Sequence, residues 1–310
     1  MKRLFLKAAG VAAAGALLKA CGGGGGGGGG SPSGSLTLLQ LLQQDGRFSA
    51  LLAALQNAGL ADQLGQAGAN RTLFAPTNDA FNALESRVGA LSDQKLAELI
   101  GFHVVPRFLS ASTLRSFAAS DERPDTLYTF RTDPAVLIFV NNGGQLNIWD
   151  GVGRTSITIL EADVAASNGV LHVVSDVMVP KGVLTVAQTL RASIDSFSDF
   201  SASVNGATFD TLNGAGQFTV FVPINDAVNS QLIDSVVRRH VVSGQTIGSD
   251  SFPAAGVVLP TLSNQQVTLR KGSNAVVLAT LTYGSVQANV TDVDFFGSNG
   301  VIHVIDRVLA

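Results

Sequence analysis

Two apolar rhythms alternate along the chain. Helical spacing appears in residues 92–101 (SDQKLAELIG), where Leu96, Leu99 and Ile100 share one face, Ser92 is placed to cap the first turn, and Lys95 is the third helical residue. Short unbroken apolar runs appear in Thr72–Ala75, stopped by Pro76, and in Val170–Val174 and Val301–Ile305. A strand that is apolar on both faces belongs in the covered centre of a sheet. The last two runs are each entered through an Asn-Gly pair, Asn168-Gly169 and Asn299-Gly300, which reads as a tight-turn signal. Each also carries a histidine, His172 or His303, on a face expected to pack into the core with one ring nitrogen hydrogen-bonded. Phe102–Val105 reads as extended chain stopped by Pro106, and alternation predicts further strands in 135–140, 146–149, 267–270 and 276–282. Helices come first and strands follow, which is an α+β arrangement with a compact β-core.

That order occurs twice. Thr72–Phe81 (TLFAPTNDAF) matches Thr219–Val228 (TVFVPINDAV), His103-Val104-Val105 matches His240-Val241-Val242, and Ser167–Val174 (SNGVLHVV) matches Ser298–Ile305 (SNGVIHVI). The offset falls from 147 to 131 along the series, so the first copy is longer between landmarks, and its polar stretch 120–134 reads as a surface loop. The copies are expected at 36–180 and 183–310, abutting through Pro180-Lys181-Gly182. After Pro76 and Pro223 a helix should begin. Thr77 is replaced by Ile224, which has no oxygen, so the cap common to both copies is expected at Asn78/Asn225 or at Asp79/Asp226.

The first 35 residues follow neither rhythm. Lys2, Arg3 and Lys7 precede an apolar run at 8–18, too short for a bilayer that needs about 20 residues. Residues 1–20 read as a signal peptide. Leu18-Lys19-Ala20-Cys21 resembles a lipoprotein cleavage site, with Lys19 where a small or apolar residue is usual, and Cys21 as the lipid acceptor. The start also resembles a twin-arginine signal with Lys2 for the first arginine, so the export route stays open between the general and the twin-arginine pathways. Gly22–Gly30 and the following Ser-Pro-Ser-Gly complete a tether over 21–35, with a typical reach of about 20 Å.

Composition narrows the function. Loss of residues 1–20 removes four cations and takes the formal charge from −3 to −7, and the 20 aromatic residues include only one Trp and two Tyr. An acidic chain without a basic stripe or stacking platform is a poor nucleic-acid binder. One cysteine allows no internal disulfide, and four histidines spread over two domains imply no metal site or other cofactor. The carboxylate after the histidine moves from Asp176 to Asp306, one position nearer and so to the opposite strand face, and no nucleophile-elbow or zinc motif appears.

The repeated blocks resemble the fasciclin (FAS1) family, over nearly all of 36–310: Thr72–Phe81 and Thr219–Val228 are similar to its first signature block, Asn168–Pro180 and Asn299–Leu309 to its second. Phe102-His103 and Arg239-His240 stand where that family often has Tyr-His. The resemblance implies two tandem domains, each a wedge-like or sandwich β-core with a helical layer, and roles in adhesion or surface attachment, with Phe102, His103, Arg239 and His240 as candidate partner-binding positions. Two functions follow as expectations. One is a non-enzymatic, membrane-anchored, extracytoplasmic binding protein with a protein or glycan partner. The other is a small-molecule binder or hydrolase using a histidine and a nearby carboxylate in one copy.

Overall fold

The computed structural model describes residues 34–153, 157–193, 197–272 and 277–310. The expected signal peptide and Cys21 lie outside the described residues, as does Val276 of the expected strand 276–282. The first domain runs α1 (Leu38–Gln44), α2 (Ser49–Asn57), α3 (Ala61–Gly65), β1 (Arg71–Pro76), α4 (Asn78–Val88), α5 (Asp93–Gly101), β2 (Val104–Val105), α6 (Ala111–Ser120), β3 (Asp125–Phe130), β4 (Asp133–Val136), β5 (Ile138–Asn142), β6 (Gln145–Trp149), β7 (Ile157–Ala166) and β8 (Gly169–Val174). The second runs α7 (Val186–Ala192), α8 (Ser198–Ser203), α9 (Gly206–Asn213), β9 (Phe218–Pro223), α10 (Asp234–Arg239), β10 (Val241–Ser243), β11 (Val257–Pro260), β12 (Gln266–Lys271), β13 (Ala279–Tyr283), β14 (Val286–Gly297) and β15 (Gly300–Ile305).

Each domain is a helical layer on a mostly antiparallel, curled sheet. The strand orders are β2-β1-β8-β7-β6-β5 and β10-β9-β15-β14-β13-β12-β11. In both, one parallel pair sits near the centre: Phe74 opposite His172 in β1/β8, Phe221 opposite His303 in β9/β15. All six residues of β8 and of β15 are buried, as their two-sided apolar pattern requires.

The helix starts differ from expectation. Thr77 Oγ1 accepts the Ala80 N–H at 3.4 Å and is the cap of α4, while Asn78 and Asp79 lie inside the helix. Ile224 supplies no oxygen, and the second copy keeps only a 3-10 turn at Asn225–Ala227, so neither Asn225 nor Asp226 caps it. The paired asparagines instead hold the start of an earlier helix, α2 in one copy and α8 in the other. Asn78 Oδ1 accepts from the Ala50 N–H at the start of α2, and Asn225 Oδ1 from the Asp199 N–H at the start of α8. At α5 the sequence reading holds, with Ser92 accepting from the Lys95 N–H.

Two other segments depart from the pattern. The stretch read as a surface loop, 120–134, contains the β3–β4 hairpin, whose alternate residues Thr126 and Tyr128 are buried. The single strand expected at 135–140 breaks at buried Leu137, whose N–H donates to Pro124 O at 3.1 Å. The hairpin tip then reaches the second domain, with the Phe130 and Phe296 rings 5.6 Å apart. Around it, Gly182 N–H of the junction donates to Phe296 O at 2.7 Å, Gln188 Nε2–H to Val88 O at 3.0 Å, and Ser193 Oγ–H to Val152 O at 2.8 Å. The domains therefore meet through buried hydrogen bonds and packed rings as well as through the short junction.

Candidate functional site

The repeated residues converge at the entry of the buried strand. Asn168 is fully buried, and its side chain makes three bonds: Oδ1 accepts the Leu38 N–H at the start of α1, and Nδ2 donates to Leu64 O and Gln66 O. Asn299 repeats this with the Val186 N–H, Leu212 O and Gly214 O. One amide thus joins the start of the first helix, the end of the third and the hairpin turn. The turn itself is Ser167-Asn168, with Ala166 paired to Gly169, and neither Asn168 nor Gly169 has positive φ. The Asn-Gly pair is therefore not a left-handed turn. Gly169 is required because a Cβ there would overlap the Arg71 carbonyl of the parallel neighbour, and Gly300 meets the Phe218 carbonyl in the same way.

Three residues further on, His172 is buried and doubly bonded. Its Nε2–H donates to Leu109 O at 2.8 Å, and its Nδ1 accepts the Asp163 N–H at 3.2 Å. His303 does the same with Ile247 O and the Asp294 N–H. Both aspartates sit at a bulge in the long strand, at φ 59° and 67°. Each carboxylate accepts the backbone N–H at the start of an earlier helical segment, Ala111 at the start of α6 for Asp163 and Ser249 at the start of a 3-10 turn for Asp294. The imidazoles lie against aromatic rings, Phe74 for His172, and Phe221 and Phe252 for His303. Burial lowers the pKa of both histidines, against smaller raising effects of the carbonyl bond and the bulge aspartate.

The second histidine pair is equally enclosed. His103 Nδ1–H donates to Leu99 O and its Nε2 accepts the Met178 N–H; His240 makes the same bonds to Val236 O and from the Leu309 N–H. Each ring pins the segment after the buried strand to the helix before it. Phe102 is buried edge-on to Tyr128, 6.5 Å between centroids. Arg239 is half-buried, bonded to Gln265 and Leu309 O and stacked over Tyr283 at 4.3 Å. Burial holds His240 down at about 4. Phe102, His103 and His240 are thus out of a partner's reach, and Arg239 is engaged inside its own domain, because the helix–strand corner that carries these four is a packing joint.

A model of the fasciclin domain matches residues 46–180 and again 195–310. The chain belongs to the fasciclin-domain family. Protein sll1483 of Synechocystis is 32% identical over 151 residues, 47% of this chain and 74% of that one. The fasciclin-like arabinogalactan protein 12 of Arabidopsis thaliana is 29% identical over 137 residues, 41% of this chain and about half (53%) of its own length. Among solved structures, a FAS1 domain pair from the insect cell adhesion molecule fasciclin I covers 86% of this chain and 97% of its own, with 21% identity and a TM-score of 0.44. Fasciclin domains are typically adhesion or binding modules.

Within the two fasciclin domains, the Nδ1 partner of each histidine is the backbone N–H of Asp163 or Asp294, nine residues before it, and the charge of the same residue acts on the ring. Inspection of the residues after the histidine misses it, although the spacing is identical in both copies and was available as a signal. The hairpin tip at Phe130-Arg131 lies outside the sequence blocks that repeat, so self-comparison could not find it.

Proposed function

We propose that the chain is an exported, lipid-anchored binding protein of the cell envelope, acting in adhesion or attachment through a protein or glycan ligand. One observation carries this reading: the repeated histidines and turn asparagines, His103/His240, His172/His303 and Asn168/Asn299, are hydrogen-bonded inside their own domains, so the fold offers a partner its exposed surface. A hydrolase would need a base with an accessible ring nitrogen. Both nitrogens of His172 and of His303 are already bonded inside the protein. The basic start, the apolar run at 8–18, and Cys21 followed by nine glycines support export and lipidation. Among the described residues no helix is long and apolar enough to cross a membrane.

The test has two parts. Cys21→Ser should move the protein from the membrane fraction to the soluble envelope fraction, and retention on membranes after a carbonate wash would refute the anchor. Deleting residues 36–310 from the anchored chain should lower surface attachment or cell aggregation. Attachment equal to that of the full-length protein would remove the binding-module reading.

A further inference from the structure

The junction between the domains forms an open groove of about 430 Å³, within the range of ~300–1,000 Å³ common for ligand sites. Its first wall is the tip of the β3–β4 hairpin. The Arg131 guanidinium lies 5.2 Å from the Phe130 ring centre and 4.5 Å from that of Phe296. Arg131 has φ 58°, a left-handed conformation costly for a residue with a Cβ. Its side chain is exposed and, among the described residues, has no hydrogen bond or ion pair. Lys181, 5.9 Å from the same Phe296 ring, feels the charges of Asp294 and Asp292. Of these two cations, Arg131 is the one that lines the groove, and among the described residues it has no ion pair with a carboxylate.

The opposite wall is neutral and polar. Gln217, Thr246 and Ser298 are exposed, and their side chains have no hydrogen-bond partner among the described residues. Between the walls the surface is nearly all main chain. Gly182, at φ 83°, leaves room for the Phe130 ring that a Cβ would strike, and Gly297 and Gly300 carry no side chain over the floor. The lining therefore presents one exposed guanidinium with several hydroxyl and amide groups. A peptide added as a strand would need a free sheet edge. The two strands nearest this floor, β9 and β15, are paired on both sides.

We propose that this groove binds a carboxylated polysaccharide: a uronate carboxylate on the Arg131 fork, with sugar hydroxyls on Gln217, Thr246 and Ser298. A planar carboxylate matches the guanidinium donors, and hydroxyls match side chains that both donate and accept. The proposal deepens the binding-module reading and rests on it.

The experiment measures binding of the full-length protein to polygalacturonate by calorimetry, with neutral dextran and poly-glutamate as comparison ligands. Arg131→Asn tolerates the left-handed backbone and should weaken binding at least about tenfold. Gln217→Ala, on the far wall and outside the hairpin, should weaken it several-fold, while Arg47→Ala on a remote surface leaves it unchanged. Absence of polygalacturonate binding by the unmutated protein would overturn the proposal. So would binding indifferent to Arg131, equal binding of dextran, or poly-glutamate binding as tight and as dependent on Arg131. Loss of attachment on deletion of 36–310, with polygalacturonate not bound, would sink the groove and leave the binding-module reading standing.

Discussion

A histidine enclosed on every side loses the ability to take up a proton, and His240 shows what this does to stability. Its Nδ1–H donates to Val236 O and its Nε2 accepts from Leu309, so the ring is held neutral. Burial depresses its pKa from 6.5 to about 4, and the neighbouring Arg239 charge adds to the depression. A depressed folded-state value means that the unfolded chain binds the proton more tightly. The contribution is complete above pH 6.5 and is lost as pH falls from 6.5 through 4, reaching about 3 kcal/mol for this residue. His172 and His303 are shifted in the same direction. Urea midpoints should therefore fall between pH 7 and pH 4.5, and His240→Asn should flatten that dependence. A midpoint constant over this window would show that the rings are protonated in the folded protein.

At the scale of elements, the two copies provide an internal comparison of capping. With Thr77 the helix after the first proline runs for 11 residues; with Ile224 the corresponding segment is a three-residue 3-10 turn. Thr77→Ala should cost about 1 kcal/mol and raise amide exchange over Asn78–Phe81, read by denaturation and hydrogen exchange. A stability change below a few tenths of a kcal/mol would mean that packing alone, through Phe81 and Leu84, fixes the helix. This position also shows what could be read from the sequence. The buried strands and the Ser92-capped helix were legible because their pattern depends only on neighbours in the chain. A demand for identity between copies sets Thr77 aside, because of the three possible caps Thr77, Asn78 and Asp79 it is the one that differs in the second copy. The roles of Asn78 and Asn168 were hidden for another reason: their hydrogen bonds reach 28 and 130 residues along the chain, and no local pattern encodes such partners. Asn168-Gly169 drew attention correctly, but for close approach to β1 instead of for turn geometry.

For the whole molecule the question is whether two fasciclin domains behave as one body. The contacts across the junction are of the kind found inside a domain. The amide of Gln188 is buried and bonded to the end of α4, Ser193 Oγ–H donates to Val152 O at 2.8 Å, and the Phe130 and Phe296 rings pack together beside Gly182. Gly182 is the point where these requirements meet. Its φ of 83° disfavours any side chain, its Cβ position is taken by the Phe130 ring, and its N–H holds Phe296 O. Gly182→Val should therefore strain the junction where Phe130 leaves the edge of the first core, displacing the hairpin tip from the second domain. Cooperative unfolding across an interface requires that opening it cost free energy comparable to the stability of the weaker domain. The expected outcome is one calorimetric transition for the unmutated chain and two for Gly182→Val, with a larger radius of gyration by small-angle scattering. Two transitions in the unmutated chain would mean that the contacts are too weak to couple the domains, and the groove between them would then lack a fixed geometry for any ligand.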